Sequence, residues 1–358
     1  MKRKKLIVVN TYYQLIFALQ LLDSIYRNDI VDIIISDQSK DAYNISKKVL
    51  KLKLFNNVYY EKTKEYTKTN SSIFKQLKSA KDVFKGTRFY EEVWKNRYDE
   101  FVFFNTDLFT YAIFAKLFEG NKDIRGSRFE EGIFSYNIES YLYDSKLRYL
   151  NCLRKILRKK PLDEIVDKFY CFYPQIYTGS LKAIAVPLIS QHCETAKRLR
   201  NIFKPDISIY NKKYIFFTSV YDFEGGKAIG EYELVCKIAD LVGKDNLLIK
   251  THPRDVRSIY TDNEFNVDKN SSIPWEAIQI LGDFSDKIFM TINSGSVLSG
   301  SIMSEKPVKT YYMYRLCNIK ENLACIRNVQ NIEQLLKEKS MKEVLKTVKI
   351  AEKIEDIL

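Results

Sequence analysis

Residues 6–35 read LIVVNTYYQLIFALQLLDSIYRNDIVDIII and decide the fold class of this chain. Leu6–Val9 is a short β-branched run of the kind found in buried parallel strands. Asn10 and Thr11 follow as a turn and helix cap, and apolar residues then recur at helical spacing as far as Leu22. A second β-branched run occupies 31–35. This β-α-β order predicts an α/β fold with doubly wound parallel sheets.

A second set of α/β signals begins near residue 210. Strand candidates lie at 214–217, 246–250, 287–290 and 307–314, and a helix is predicted over roughly 227–242. The first half has further strand candidates at 50–60 and 101–104, with helix-prone basic residues at 61–100 and 140–175. We therefore expect an N-terminal domain over 1–185, a C-terminal domain over 186–330 with a cleft between them, and a charged amphipathic helix over 331–358. Ligands of such sheets bind outside the carboxyl ends of the strands.

The composition of the 358 residues is that of a globular protein of about two domains. Its formal net charge of +13 favours an anionic partner, such as a nucleic acid, a membrane surface or a phosphorylated small molecule. Only two histidines are present, His192 and His252, so a multi-histidine metal site is excluded and no metal is expected. The six cysteines form no C-x-x-C pair, which argues against a zinc ribbon and indicates reduced thiols in the cytoplasm.

Membrane-targeting signals are missing from the sequence. The basic residues 2–5 are followed by only four apolar residues, fewer than a signal peptide needs. No window approaches the roughly 18 to 20 apolar residues of a spanning helix. We expect a cytoplasmic protein, with peripheral contact to an anionic membrane surface through the basic residues of 140–160 and the C-terminal helix.

The first candidate for chemistry is the acidic pair Glu130–Glu131, which precedes Gly132. Adjacent carboxylates repel each other, and partial burial raises the pKa of one of them, which suits a general base. Gly132 allows the tight turn that would direct a carboxylate toward a cleft. Solvated loops carry the same pattern.

The second candidate is His252, which lies between Lys250 and Pro253 at the predicted exit of a strand. The proline restricts the backbone, and the imidazole can protonate or hydrogen-bond a leaving phosphate. Lys250 adds a positive charge that favours an anion. The alternative is a histidine that only completes a turn.

Two further segments of the second half indicate nucleotide binding. Glu276 follows Ile273-Pro-Trp275 and either caps a helix or accepts hydrogen bonds from a ribose diol. The turn Asn293-Ser294-Gly295-Ser296 follows a strand and exposes backbone N–H groups at a helix N-terminus, which can bind an anion or simply cap the helix. Neither a Walker loop nor a G-x-G-x-x-G motif is present.

Together these motifs resemble those of bacterial sialyltransferases. The order Glu130-Glu131-Gly132, His252-Pro253, Asn293–Ser296 matches, and Asn10-Thr-Tyr-Tyr-Gln-Leu-Ile-Phe-Ala-Leu19 resembles the start of glycosyltransferase family 52, which includes lipooligosaccharide sialyltransferases. Ile273–Glu276 is similar to the Pro-aromatic-Glu segment that holds the CMP ribose in related enzymes. The resemblance covers roughly residues 6–315. Asn293 departs from the paired serines common in the family, so either Ser294 with Ser296 or Asn293 with Ser294 would hold the phosphate.

The resemblance implies a GT-B fold with two Rossmann-like domains. It also implies an inverting, metal-independent transfer of sialic acid from CMP-sialic acid, with no further cofactor. Glu130 would be the base on the acceptor hydroxyl with Glu131 beside it, His252 the acid or phosphate stabiliser, and Glu276 the ribose ligand. The acceptor would be a sugar hydroxyl, expected to be a galactoside, of a lipooligosaccharide or capsular glycan. We expect its site within 61–100 and 105–150, and the charged helices can support a homodimer.

Three alternatives stay open. In some family members an acidic residue shortly before the His-Pro segment fills the base role, which here would be Asp222 or Glu224. The donor could instead be another CMP-activated acid or a UDP-sugar on the same fold. A nucleic-acid-binding protein fits the charge and the aromatic content, but no binding motif is present, so nucleic acid is not an expected partner.

Overall fold

The computed structural model describes residues 2–64, 93, 95–136, 151–152, 154–224, 226–268, 270, 273–304 and 306–358. The chain divides into two compact units, Met1–Pro187 and Leu188–Leu358. This division lies two residues beyond the boundary expected from the sequence.

The first unit is built on a seven-stranded sheet in the order β3-β2-β1-β4-β5-β6-β7. All of its strand pairs are parallel. The strands are β1 (Lys4–Val9), β2 (Ile30–Ser36), β3 (Asn57–Glu61), β4 (Glu100–Phe103), β5 (Arg125–Phe129), β6 (Val166–Cys171) and β7 (Lys182–Ala185). The α-helices of this unit whose bounds the structure describes are α1 (Tyr12–Asp23), α2 (Ala42–Lys51) and α3 (Leu108–Gly120).

The order of strands in this sheet reverses between β1 and β4. From β1 the chain proceeds outward to β3 on one side, and from β4 it proceeds outward to β7 on the other. The apolar run that ends β1 is almost fully buried, with Leu6 and Ile7 at 0% exposure, because helices cover both faces of a parallel sheet. Open α/β sheets bind ligands at such a reversal, outside the carboxyl ends of the strands.

The second unit has a six-stranded sheet in the order β10-β9-β8-β11-β12-β13, again parallel throughout. Its order reverses between β8 and β11. The strands are β8 (Tyr214–Phe217), β9 (Leu247–Lys250), β10 (Asn266–Val267), β11 (Ile288–Thr291), β12 (Lys309–Tyr312) and β13 (Val348–Ile350). The α-helices that the described residues form here are α4 (Glu194–Phe203), α5 (Glu231–Val242), α6 (Ile259–Asp262), α7 (Trp275–Leu281), α8 (Ser296–Met303) and α9 (Leu323–Lys337).

Several predicted elements need correction. The C-terminal segment 331–358 is not one helix, because α9 ends at Lys337 and β13 then adds an edge strand to the second sheet. The strand predicted at 50–60 is confined to β3, because the apolar residues Val49 and Leu50 belong to the last turn of α2. The prediction of helix over 140–175 is wrong at residues 166–171, which form the strand β6.

Most of the segment 61–100 and just over half of 140–160 lie outside the described residues. The same holds for much of the acceptor region expected at 61–100 and 105–150. Where the structure describes the chain, it contains no helix that is both long and apolar enough to cross a membrane. Short 3₁₀ turns connect other elements, at Ile133–Tyr136, Asp163–Ile165, Pro174–Ile176, Ile207–Tyr210, Lys244–Asn246, Tyr314–Leu316, Lys339–Met341 and Ile354–Ile357.

Candidate active site

Glu130 directly follows β5 and lies fully buried at the carboxyl edge of the first sheet. Its Oε1 accepts a hydrogen bond from the Tyr13 hydroxyl at 2.5 Å. Its Oε2 accepts from the Tyr136 hydroxyl and, at 2.8 Å, from the Phe172 N–H. Burial raises the pKa of Glu130 to about 7, even though these three hydrogen bonds act in the opposite direction. The carboxyl group therefore changes its protonation state near neutral pH, as a general base requires.

Glu131 is more accessible than its neighbour and is only half-buried. Its Oε1 accepts from the hydroxyl of Thr11 at 2.5 Å, and Thr11 is also the N-cap of α1. Gly132 has a φ of +79°, a value that glycine adopts without strain. The predicted turn is present, and the two carboxyl groups contact different residues of the first turn of α1.

The tyrosines around Glu130 were not foreseen from the sequence. In the sequence, Tyr13 falls within the apolar helical pattern that ends at Leu22, and no motif contains Tyr136. Their hydroxyls reach the carboxylate because α1 follows β1 and the 3₁₀ turn Ile133–Tyr136 follows the acidic pair. A hydroxyl partner cannot be told from a core aromatic ring by sequence spacing alone.

His252 lies two residues beyond β9, half-buried at the carboxyl edge of the second sheet. Its backbone N–H donates to Oγ1 of Thr218 at 2.8 Å. The ring Nδ1 accepts from the N–H of Arg254 at 3.1 Å, so the neutral imidazole carries its hydrogen on Nε2. Burial lowers the pKa of His252, and the positive charge of Arg254 lowers it further. The side chain is thus a neutral N–H donor at physiological pH.

The two residues that the sequence groups with His252, Pro253 and Lys250, lie in different environments. Pro253 is exposed. Lys250 is 7% exposed, and its Nζ lies 2.8 Å from Oδ2 of the buried Asp268. The sequence predicts that the Lys250 ammonium group favours an anion beside His252. In the structure this group is paired with Asp268 instead.

The serine turn lies at the same edge, directly after β11. The Thr291 hydroxyl donates to the carbonyl of Phe217 at 3.0 Å, and its oxygen accepts from the N–H of Ser294 at 3.0 Å. Because β8 and β9 are neighbours and Thr218 contacts His252, these hydrogen bonds connect the histidine segment to the turn.

The four residues of the turn differ in orientation. Gly295 and Ser296 are exposed and Ser294 is half-buried, at the N-terminus of α8. Asn293 is 8% exposed, and its Nδ2 donates to Sγ of Cys325 at 3.5 Å. The structure therefore presents Ser294, Gly295 and Ser296 to solvent and directs the Asn293 amide inward.

Glu276 is the second residue of α7 and contacts the helix that follows the serine turn. Its Oε1 accepts from the Ser299 hydroxyl at 2.5 Å, and burial raises the pKa of Glu276 while this hydrogen bond opposes the rise. The contact joins α7 to α8, so the predicted ribose ligand and the serine turn belong to one cluster.

Asp222 and Glu224, the alternative bases, are both engaged in structural contacts. Asp222 accepts hydrogen bonds from the N–H groups of residues 229–232 at the start of α5, at 3.0 to 3.3 Å. Oε2 of Glu224 pairs with Arg254 at 2.7 Å. These contacts satisfy helix-terminal N–H groups and an exposed cation.

Glu231 is a buried carboxyl group that the sequence did not reveal. Its two oxygens accept from the N–H of Ser219 at 2.8 and 3.0 Å. Burial raises the pKa of Glu231 to about 8, with the nearby charge of Asp222 adding to the rise.

Within the part of the chain that the structure describes, no group of three or more His, Cys, Asp or Glu side chains could hold a metal ion.

A protein-family model for alpha-2,8-polysialyltransferase (POLYST) matches residues 5–313. The matched range includes both acidic residues, the His-Pro segment and the serine turn. No curated protein matches this chain.

Solved structures resemble the chain in fold at low sequence identity. A UDP-N-acetylglucosamine 2-epimerase is 10% identical, covers 97% of this chain and 91% of its own, and has a TM-score of 0.51. An alpha/beta-galactoside alpha-2,3-sialyltransferase from Photobacterium phosphoreum is 13% identical, with 99% and 100% covered and a TM-score of 0.48. The UDP-GlcNAc 2-epimerase from Neisseria meningitidis is 13% identical, with 96% and 93% covered and a TM-score of 0.48. The predicted GT-B fold class, with two Rossmann-like sheets, is confirmed.

Proposed function

Because the chain belongs to the alpha-2,8-polysialyltransferase family, we propose that it is an inverting sialyltransferase that uses CMP-sialic acid and no metal ion. The observation that carries the proposal is that the family match spans both units. It therefore contains both the carboxyl edge that bears Glu130 and the carboxyl edge that bears His252. The resemblance to glycosyltransferase family 52 stays a prediction.

In the proposed reaction, the acceptor hydroxyl attacks C2 of the donor sialic acid. The new C–O bond forms as the bond from C2 to the CMP phosphate oxygen breaks, and the acceptor proton passes to Glu130. CMP leaves with the electron pair of the broken bond. Since CMP is a good leaving group, the protein must mainly position the two substrates, supply one base and stabilise the phosphate.

Glu130 is the base in this proposal because its pKa of about 7 lets it accept a proton at neutral pH. Glu131 is the alternative base, since it is more exposed and also faces α1. The capping contacts of Asp222 argue against a base role for that residue.

His252 supports departure of CMP as a hydrogen-bond donor. Its Nδ1 already accepts from Arg254, so Nε2–H is the group available to a phosphate oxygen. The lowered pKa of His252 favours the phosphate-stabiliser role over the acid role. Ser294, Gly295 and Ser296 would bind the phosphate at the N-terminus of α8, and Glu276 the ribose.

The family name narrows the acceptor in the proposal. A linkage to position 8 requires a sugar with at least eight carbons, and a hexose such as galactose has six. We therefore propose a sialic-acid-terminated glycan as acceptor. The galactoside becomes the alternative acceptor. The expectations of a lipooligosaccharide or capsular glycan, of an anionic membrane surface and of a homodimer stay predictions.

The test is transfer from CMP-sialic acid, followed as CMP release, to an α-2,8-linked sialic acid oligomer and to lactose. We expect transfer to the oligomer that persists in a metal chelator, and we expect CMP to raise the melting temperature. Stabilisation by a UDP-sugar but not by CMP would overturn the donor assignment. Transfer to lactose alone would restore the galactoside.

A further inference from the structure

The segment Asn10-Thr11-Tyr12-Tyr13-Gln14 contributes more side chains to the first sheet edge than the proposed reaction uses. Thr11 and Tyr13 contact Glu131 and Glu130 respectively. Asn10 and Gln14 instead contact Asn105, which lies two residues beyond β4. These three amides lie where β1 and β4 meet, at the reversal of strand order.

The hydrogen bonds among the side-chain amides of Asn10, Gln14 and Asn105 determine how the oxygen and the NH₂ group of each amide are oriented. The Asn10 backbone N–H donates to Oε1 of Gln14 at 2.7 Å, so Gln14 must present its Nε2 to Asn105. That Nε2 donates to Oδ1 of Asn105 at 2.8 Å, and Nδ2 of Asn10 donates to the same oxygen at 2.9 Å. A flipped Asn105 amide would place its NH₂ group against two donors.

This arrangement leaves one acceptor and one donor unused. Oδ1 of Asn10 has no hydrogen-bond partner among the described residues. It is also shielded from solvent, since Asn10 as a whole is only 3% exposed. Asn105 is half-buried, and its hydrogen bonds within the described part of the chain are the two that its Oδ1 accepts, so its Nδ2 is left for solvent or a ligand. Buried polar atoms normally have partners, so an unpartnered acceptor in a fixed position indicates a group that the protein itself does not supply.

Other unpartnered atoms lie beside this pair. Among the described residues, Nε and Nη1 of the buried Arg128 have no hydrogen-bond partner, while its Nη2 donates to the carbonyl of Phe104, the residue before Asn105. These two nitrogens are a second indication of a polar group that the described residues do not supply.

We propose that Oδ1 of Asn10 and Nδ2 of Asn105 bind hydroxyl groups of the acceptor sugar and so hold it beside the two carboxylates. A sugar hydroxyl is both donor and acceptor, which matches one free acceptor and one free donor. Thr11 and Tyr13, in the same five-residue segment, contact the carboxylates that would take the acceptor proton. The inference rests on the proposed function and identifies Asn10 and Asn105 as acceptor-positioning residues.

The test is the kinetics of Asn105→Asp, in which a carboxylate oxygen keeps both hydrogen bonds from Asn10 and Gln14 but the outward donor is lost. Asn105→Ala removes the same donor without adding a charge or a new hydroxyl, and serves if the first variant does not fold. We expect the acceptor KM to rise about tenfold, with the donor KM and the CMP-induced rise in melting temperature unchanged.

The matched control is Asn121→Ala. Asn121 is also a buried asparagine of the first unit, but its amide donates to the Tyr98 carbonyl, before β4 rather than after it. We expect a lower melting temperature with an unchanged acceptor KM. An unchanged acceptor KM in a folded Asn105 variant that still transfers would overturn the inference. A wild-type chain that neither binds CMP nor transfers would overturn the proposed function instead.

Discussion

The candidate groups at the carboxyl edge of the first sheet are the carboxylates of Glu130 and Glu131, which accept hydrogen bonds from hydroxyl groups. At the carboxyl edge of the second sheet they are the imidazole of His252 and the serine turn 293–296. Both edges lie where the order of parallel strands reverses. Burial raises the pKa of Glu130 in the first and lowers that of His252 in the second. In each case burial favours the neutral form. In the proposed reaction, the same topology would therefore support proton acceptance at one edge and anion binding at the other.

Glu130→Gln is the substitution that should separate the two edges most. The amide cannot take the acceptor proton, so we expect transfer to fall about a thousandfold, with CMP binding at the other edge retained. The wild-type kcat/KM for the acceptor should rise with pH through about 7, since Glu130 must lose its proton to act. Steady-state kinetics across pH measure both effects.

Two control variants distinguish the other carboxylates. Glu131→Gln should cost far less activity than Glu130→Gln, and the reverse ranking would make Glu131 the base. Asp222→Asn should keep most of the hydrogen bonds to the N–H groups at the start of α5, because the amide oxygen still accepts them, so transfer should persist with a small drop in melting temperature at most. A collapse of kcat in a folded Asp222→Asn variant would move the base to the second unit.

His252→Ala probes the second edge. We expect a loss of about a hundredfold in kcat, because the Nε2–H donor to the leaving phosphate is removed, and an unchanged acceptor KM. The protein should remain folded, since the contact to Thr218 is made by the backbone. A folded His252→Ala variant with full activity would remove the histidine from the mechanism.

Glu231→Gln should have the smallest effect, and it acts on stability. The unfolded carboxyl group loses its proton near pH ~4.5, whereas the folded one holds it to about 8. Wild-type stability therefore falls as pH rises between these values. The variant lacks this penalty and should melt roughly 3 °C higher at pH 8.5, with no gain at pH 4.5. An equal gain at both pH values would contradict burial as the cause.

The sequence predicted the β-α-β order that opens the first unit and most strands of the second unit. Periodicity reports which faces are buried, and motifs such as Glu130-Glu131-Gly132 lie next to strand ends. It did not reveal hydrogen-bond partners separated by many residues, such as Tyr13 with Glu130 or Asn10 with Asn105. It also gave no sign that Asp268 pairs with Lys250 or that Cys325 takes the Asn293 amide. These contacts depend on how strands assemble.

The charged C-terminal segment 331–358 is a second case in which contacts between distant residues decide the structure. Its helical periodicity is real in α9, but Val348–Ile350 pairs with Thr310–Tyr312 as a parallel strand. Three residues are too few for a period to be recognised. Tertiary pairing decides such a segment.

The edge position of β13 also bears on the order in which the protein can fold during synthesis. The first sheet has all seven strands once Ala185 has left the ribosome, whereas the second lacks its sixth until Ile350 has emerged. Chains emerge N-terminal end first, so the first unit can fold while β12 still has an unpaired edge. Such an edge is a template for pairing with other chains. Truncations between residues 338 and 347 should therefore aggregate through the second unit while the first unit stays native.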